Sequence, residues 1–373
     1  MSIDSFSEHF GDLHDPRQSA KVVYPLFDVL FLIVCAVIAG SEGWEDIEDF
    51  GEAHLEWFQS KGLLLEGLPV HDTIARIVSR LDPEAFQTCF CRWMESVSER
   101  VDGELIAIDG KVLRSSYNRE DRQSTIHMVS AFSTANGVVL GQLKTHSKSN
   151  EINAIPELLK LLDIKGCLIS IDAIGCQKEI AKSIIAHGGD YLLAVKNNQP
   201  KLADAIRKAF VDPLKTTNVA IEHGHGRLEA REYYVLKIED DLEPFSSWPN
   251  LRSIGVAVGY RIDSKGKESL DYRYYISSLV LEKQHFAESV RGHWGIENRL
   301  HWVLDVSLRE DSCPIYRGDA AENLACVRHM AVNMLRAESS KKASIKRKQK
   351  MAAMNSHYLE KVIEAGFSVM GKS

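Results

Sequence analysis

The chain has 373 residues, enough for about two domains, and its 45% hydrophobic and 26% charged residues are typical of a globular protein. Its 52 acidic and 45 basic residues give a net charge of −7, which excludes the uniformly basic composition of the simplest nucleic-acid-binding proteins. The charge is uneven, because residues 1–100 hold 18 Asp and Glu and 7 Lys and Arg, a net of −11, which leaves 34 acids and 38 bases, a net of +4, for residues 101–373.

The first hundred residues predict an all-helical domain. Apolar spacing predicts four helices there, over residues 26–39, 44–58, 71–81 and 83–97. Asp82-Pro83 separates the last two, because proline is accepted in the first turn of a helix. Two helices joined by a short turn are compatible with a DNA-binding helix-turn-helix, but helix pairs are common and a packing domain is the preferred interpretation.

The same region shows no sign of export. The apolar segment 26–39 is 14 residues long and contains Asp28, whereas a membrane-spanning helix needs about 20 apolar residues. The acidic N-terminus, with Asp4 and Glu8, lacks the positive and apolar regions of a signal peptide. The seven cysteines are odd in number and scattered, so reduced thiols are expected. We therefore expect a cytoplasmic protein.

Residues 101–338 have the pattern of a mixed α/β domain. A short apolar strand at 105–108 precedes a hairpin over 126–144 that turns at Asn136-Gly137. Helices and strands then alternate, with helices at 151–162, 178–187 and 201–210 and strands at 167–171 and 191–195. A β-rich insertion is predicted at about 219–280, with strands at 231–238, 254–262 and 270–277. Helices at 282–304 and 320–335 follow, and residues 339–373 are predicted to form a basic tail.

Two aspartates follow apolar strand patterns. Asp109 ends the run at 105–108, and Asp172 closes the strand at 167–171. If these strands are neighbours, the carboxylates approach each other at one end of the sheet, where their repulsion raises each pKa unless a cation intervenes. Oxygen ligands with an open coordination sphere suit Mg²⁺ or Mn²⁺, and two such ions about 4 Å apart serve phosphoryl transfer. The competing interpretation is that each aspartate only caps a turn.

A third ligand is expected from the polar and aromatic helix at 282–304. Glu297, His301 and Asp305 lie four residues apart, which places them on one face of an α-helix. Glu297 is the preferred ligand. A zinc site of His293, Glu297 and His301 is a rival, although this spacing differs from the His-Glu-x-x-His pattern that puts two histidines on adjacent turns.

Five segments in this order resemble the bacterial insertion-sequence transposases of the DDE class, and more narrowly the H-repeat-associated proteins. The segments are Ala107-Ile108-Asp109-Gly110-Lys111, Ser170-Ile171-Asp172-Ala173, Lys196-Asn197-Asn198-Gln199, His225-Gly226-Arg227, and Trp294-Gly295-Ile296-Glu297-Asn298 with Leu300-His301-Trp302. The resemblance covers nearly the whole chain.

The resemblance implies a ribonuclease-H-like mixed sheet with a β-rich insertion, preceded by an all-helical N-terminal domain over residues 1–100. It implies that Asp109, Asp172 and Glu297 bind two Mg²⁺ ions and catalyse strand cleavage and strand transfer on double-stranded DNA at insertion-sequence ends, and that the protein is a homo-oligomer on DNA. Polar and aromatic residues near these motifs are expected to contact DNA, namely Lys196, Asn198, Arg227, Arg231, Arg291, His293 and Trp294.

The sequence departs from the related cut-and-paste families, which carry Tyr, Arg, Glu and Lys on the last helix. Here His293 lies four residues before Glu297 and Leu304 lies seven after it. The Arg and Lys of the related families are therefore missing, and the contacts to phosphate are expected to differ. Other carboxylates remain alternatives for the third ligand, namely Asp305, Glu310 and Asp311. Two other functions stay open: a catalytically silent DNA-binding accessory or regulator, and a stand-alone metal-dependent nuclease.

Overall fold

The computed structural model of the chain describes residues 2–99, 101–116, 125–145, 151–211, 221–224, 227–239, 243–262 and 266–369. Its α-helices are α1 (Ser2–Phe10), α2 (Leu26–Ala39), α3 (Trp44–Ser60), α4 (His71–Val78), α5 (Pro83–Val97), α6 (Glu151–Lys160), α7 (Lys178–Ala186), α8 (Pro200–Ala209), α9 (Lys283–His293), α10 (Trp302–Ser307), α11 (Ala320–Ala337), α12 (Ile345–Met354) and α13 (Ser356–Gly366). Its strands are β1 (Leu105–Leu113), β2 (Ile126–Ser133), β3 (Val139–Thr145), β4 (Leu168–Ile171), β5 (Asp190–Val195), β6 (Ile221–Gly224), β7 (Arg227–Lys237), β8 (Ser253–Ile262) and β9 (Glu268–Ser277).

The strands of the described residues form one mixed sheet in the order β3-β2-β1-β4-β5-β9-β8-β7-β6. Strands β1, β4 and β5 are parallel, whereas β2 and β3 form an antiparallel hairpin. The predicted β insertion continues the sheet, because β9 pairs antiparallel with β5, with Leu192 opposite Ser277. The predicted mixed α/β sheet with a β-rich insertion is confirmed.

The packing of the chain divides it into two compact units. The first unit comprises residues 1–100, 110–150 and 297–373, and the second comprises residues 101–109 and 151–296. In the first unit, α11 is buried along most of its length and packs against α2, α4 and α5. The packing of this late helix among the early ones explains why the N-terminal helices do not separate as a unit of their own.

The second unit has its own core, between α9 and the sheet. Phe286 and Val290 of α9 are buried with Leu168 of β4, Leu192 of β5 and Tyr275 of β9. Burial of apolar surface of this kind stabilises by about 25 cal/mol per Å². The packing fixes β4 within the unit, and Asp172 follows β4 directly.

The predicted basic tail is wrong for most of its length, because residues 345–366 form α12 and α13. Lys348 is buried, donates from Nζ to the carbonyl of Leu335 at 2.8 Å and pairs with Glu338 at 3.4 Å. Leu359 and Val362 of α13 are also buried. The density of lysine and arginine concealed two amphipathic helices.

The long helix predicted at 282–304 is also wrong, because it is interrupted. Helix α9 ends at His293, a π-helix runs from Glu297 to His301, and α10 follows. Glycine is a poor helix former, and Gly292 and Gly295 lie at the break. A π-helix has i to i+5 hydrogen bonds, so the α-helical face predicted for Glu297, His301 and Asp305 is not formed.

No single helix of the described residues is long and apolar enough to cross a membrane. Only α2 and α3 taken together meet the length and composition criteria, and they are bent by 98° relative to each other.

Candidate active site

The two predicted aspartates lie at neighbouring positions of the sheet in the second unit. Strands β1 and β4 pair in parallel with Ile108 opposite Ile171, and Asp109 and Asp172 are the next residues on each strand. Neighbouring strands are about 4.8 Å apart. Both aspartates are half-buried, whereas Ile108 and Ile171 before them are buried. The sheet therefore presents two carboxylates side by side at one edge, as predicted.

The loop after Asp172 is held by hydrogen bonds. Asp172 Oδ1 accepts from the backbone N–H of Ile174 at 3.0 Å, which caps a short 3₁₀ turn. Asn198 donates from Nδ2 to the carbonyl of Ala173 at 2.6 Å, and Gln199 donates from Nε2 to the carbonyl of Cys176 at 3.0 Å. The segment after β5 thus supports the loop that carries Asp172, a role that the sequence did not indicate.

His293 lies beside the strand that leads to Asp172. Its Nδ1 is 3.0 Å from the hydroxyl of Ser170, two residues before Asp172. Burial lowers the pKa of His293, and the charge of Asp172 opposes this effect only in part. The imidazole is therefore neutral at neutral pH and brings no positive charge to this edge of the sheet.

Glu297 is exposed and begins the π-helix of the first unit. The alternative carboxylates of the first unit are already paired with a buried lysine. Lys111 Nζ lies 2.6 Å from Asp305 Oδ1, 2.6 Å from Glu310 Oε2 and 3.2 Å from Asp311 Oδ1. A carboxylate that compensates a buried ammonium group is a poor metal ligand, because recruiting it leaves that charge uncompensated.

Metal-ligand geometry is limited in the described part of the chain. Within it, no group of three or more His, Cys, Asp and Glu side chains is arranged to hold a metal ion. This statement covers the rival zinc ligands and also the three predicted carboxylates. The pair Asp109 and Asp172 is what the second unit offers for a cation.

The predicted DNA-contacting residues fall into an exposed group and a supporting group. Lys196, Arg231 and Arg291 are exposed, and the guanidinium carbon of Arg291 lies 5.6 Å from the centre of the Tyr233 ring. Asn198 is engaged with the loop after Asp172, as described above. His225 and Gly226 lie outside the described residues, and Arg227 is described only as the first residue of β7.

Trp294 presents an aromatic surface in the second unit. Its side chain is 37% exposed, and the guanidinium carbon of Arg273 lies 4.4 Å from the ring centre. A cation over the face of tryptophan is attractive by about 0.5–1 kcal/mol at an exposed site. The arrangement keeps the indole at the surface next to a positive charge, a combination that suits a nucleic acid.

Comparison with known proteins gives one consistent result. Residues 101–334 match the family described as Transposase DDE domain, and residues 7–94 match the family described as DDE_Tnp_1-associated. The chain is similar to the H repeat-associated protein YhhI of Escherichia coli (strain K12), with 47% identity over 97% of this chain and 98% of YhhI. It is 54% identical to the inactive transposase YbfQ of the same strain over 80 residues, which are 21% of this chain and 95% of YbfQ.

Among solved structures, the chain is similar to a piggyBac transposase in a synaptic complex with hairpin DNA. The TM-score is 0.48 and the sequence identity is 12%, over 96% of this chain and 80% of that chain.

Proposed function

The chain belongs to the transposase DDE family, with its associated N-terminal region, and from this premise we propose that it cleaves DNA at insertion-sequence ends and joins the ends to a target in a reaction that depends on Mg²⁺ or Mn²⁺. The observation that carries the proposal is the pairing of β1 with β4, which sets Asp109 and Asp172 side by side. The proposal goes beyond family membership, because it assigns chemistry to these two carboxylates.

The residues fit a hard divalent cation. Carboxylate oxygens are the ligands that Mg²⁺ prefers, and two aspartates this close repel each other unless positive charge lies between them. Asp172 Oδ1 already accepts one backbone N–H, and a carboxylate keeps further acceptor positions. A bound divalent ion would supply Lewis acidity at the phosphate that reacts.

The protein's own contribution is to hold these carboxylates in place. The bonds from Asn198 to Ala173 and from Gln199 to Cys176 keep the loop after Asp172 close to β5. The contact between Ser170 and His293 joins β4 to the end of α9. Glu297 is the third carboxylate of this proposal on the family resemblance alone, because the described residues form no three-ligand group and Asp305, Glu310 and Asp311 are paired with Lys111.

DNA enters the proposal through positive and aromatic surface residues. Lys196, Arg231 and Arg291 would neutralise backbone phosphates, and Trp294 would stack on a base. The partners are double-stranded DNA at the ends of the element and target DNA. A homo-oligomer is proposed for the active complex, since two ends have to be cut and joined together.

The test is strand cleavage and joining on a labelled duplex carrying the element's ends, with Mg²⁺ or Mn²⁺. Asp109→Asn and Asp172→Asn should each abolish both steps and keep DNA binding. Asp204→Asn is the matched control, because Asp204 is an exposed residue of α8 in the same unit. Equal activity of Asp109→Asn and the wild-type protein would refute the proposed role of Asp109.

The same assay separates the remaining functions. Binding to the ends without cleavage by the folded wild-type protein would favour an accessory or regulatory role. The relative YbfQ is named an inactive transposase, but it corresponds to only 21% of this chain. Cleavage without joining to a second DNA would favour a stand-alone nuclease.

A further inference from the structure

Two arginines of the first unit converge on the turn between β2 and β3. Arg299 of the π-helix donates from Nη1 to the carbonyl of Thr134 at 2.9 Å. Arg336 of α11 donates from Nη1 to the carbonyl of Gly137 at 2.7 Å. Their guanidinium carbons lie 5.4 and 5.6 Å from the centre of the buried Phe132 ring. Two elements that are distant in the sequence thus bring two like charges to one place.

The two charges are not balanced by acidic side chains. Neither arginine forms an ion pair with a carboxylate in the described parts of the chain. Burial and the charge of Arg299 lower the pKa of Arg336 to about 10. If support of the turn were the whole role, neutral amide side chains would satisfy the same carbonyls without this repulsion. A pair of guanidinium groups is instead suited to an anion, which removes the repulsion.

Gly137 allows both guanidinium groups to approach the same residue. It has a φ of +72°, and a Cβ atom there would overlap Nη2 of Arg299. The carbonyl of Gly137 is also the acceptor of Arg336. Arg299 is exposed and Arg336 is half-buried, so the site is open to solvent. Each guanidinium has several N–H donors besides the one that holds the turn.

We propose that Arg299 and Arg336 form a phosphate-binding site beside the turn at Gly137, and that its ligand is the phosphodiester backbone of DNA. The choice of DNA rests on the proposed function, whereas the site itself rests on the convergence of two guanidinium groups that form no ion pair with a carboxylate of the described residues. Arg299 lies two residues after Glu297. The site would therefore bind the DNA backbone at a residue that is close in sequence to Glu297, the proposed third carboxylate.

The experiment measures the affinity of the full chain for a labelled duplex by fluorescence anisotropy, in EDTA and over a series of KCl concentrations. Loss of one phosphate contact reduces the slope of log K against log [salt] by about one. Arg299→Gln should lower the affinity about ten-fold and reduce the slope by about one. Arg299→Lys keeps the charge and should retain the slope. Arg92→Gln is the matched control, because Arg92 is an exposed arginine of α5 in the same unit.

Arg336 provides a second readout that does not depend on DNA. Inorganic pyrophosphate should raise the melting temperature of the wild-type protein more than that of Arg336→Lys or Arg299→Gln, because a ligand that binds the folded state stabilises it. Displacement of the labelled duplex from the protein by pyrophosphate would show that the anion and the DNA use the same site. Stabilisation without competition would mean that the site takes a free phosphate and would overturn the choice of DNA.

The outcomes distinguish this inference from the proposed function. EDTA withholds the divalent ion on which the proposed cleavage depends, so DNA binding is measured without catalysis. A wild-type protein that binds DNA with the same slope as folded Arg299→Gln would overturn the inference and leave the proposed function intact. A wild-type protein that binds no DNA would overturn both. Normal binding and normal slopes with no cleavage in Mg²⁺ would count against the proposed catalysis alone.

Discussion

Replacement of Lys111 by methionine should strongly destabilise the first unit. The Lys111 side chain is 8% exposed, and its Nζ lies 2.6 Å from Oε2 of Glu310, whose side chain is 2% exposed. Removing one partner of a buried ion pair costs about 3–5 kcal/mol, because the other charge stays buried. Asp305 and Asp311 add little to this figure, since their side chains are 32% and 23% exposed and water screens them. We expect a loss of about 3 kcal/mol or more in the free energy of unfolding.

The loss should depend on pH in a definite direction. Burial opposes the charged form of both groups, but Glu310 and Asp305 raise the pKa of the Lys111 ammonium group, and Lys111 lowers the pKa of Glu310. The charge of Lys111 therefore adds to the free energy of unfolding at pH values below the pKa of Lys111 in the unfolded chain. This stabilisation is lost as the pH rises through the pKa of Lys111 in the folded protein. The charge of Glu310 adds to the free energy of unfolding at pH values above the pKa of Glu310 in the unfolded chain, and this stabilisation is lost as the pH falls through the pKa of Glu310 in the folded protein. The effect of Lys111→Met should thus be largest between these limits.

Urea denaturation monitored by circular dichroism at neutral pH measures the effect. Lys111→Met/Glu310→Gln should recover part of the loss, because it removes both charges. Lys160→Met is the control, since the pair of Lys160 with Glu157 is exposed and should be worth less than about 1 kcal/mol. A cost for Lys111→Met no greater than that for Lys160→Met would refute this account of the buried network.

Three further predictions concern other residues. Burial lowers the pKa of His329 to about 4, so below pH 6.5 this residue binds a proton in the unfolded chain but not in the folded protein. The free energy of unfolding should therefore fall by about 3 kcal/mol between pH 6.5 and 4. In His329→Leu, urea titrations over that range should show a smaller dependence of the free energy of unfolding on pH. Gly255→Ala should lower the free energy of unfolding measured by thermal denaturation by about 1–3 kcal/mol, because the added Cβ would lie 2.5 Å from Phe286 Cζ. Gly259→Ala on the same strand is the control and should be nearly neutral, because a Cβ there has nothing within 4 Å. Asn198→Ala should slow cleavage with little change in DNA affinity, because it frees the loop after Asp172; a large drop in affinity in the anisotropy assay would instead favour a direct DNA contact.

The sequence was sufficient for the elements whose ends are set locally. Helix α5 begins and ends at the predicted residues, and Asp82 caps it by accepting from the N–H groups of Glu84 and Ala85. Helix α2 ends where predicted, with Gly40 at a φ of +101°. The positions of Asp109 and Asp172 could also be predicted, because a strand that ends in aspartate is a local pattern and parallel neighbours bring such ends together.

The sequence was insufficient where a contact joins distant segments. Lys111 belongs to the segment Asp109-Gly110-Lys111, but its partners Glu310 and Asp311 are 199 and 200 residues away in the sequence. No spacing rule relates such positions. The strand was predicted to end at residue 108, whereas β1 continues to Leu113 and Lys111 is buried, where a charged residue is rarely found unless it is paired. The role of Asn198 was missed for the same reason, because its acceptor on Ala173 is 25 residues away.

The burial of Lys348 bears on how this chain would hold DNA. A net charge of −7 provides no general attraction to a polyanion, and Lys348 adds none, because its ammonium group is bound to Glu338 and to the carbonyl of Leu335. The other basic residues of the segment are exposed, namely Lys341, Lys342, Lys346, Arg347 and Lys350. Affinity then has to come from local groups, which include these residues as well as Arg299 and Arg336. Few phosphate contacts give a shallow dependence on salt, so a steep slope in the wild-type protein would indicate a larger basic surface than these residues provide.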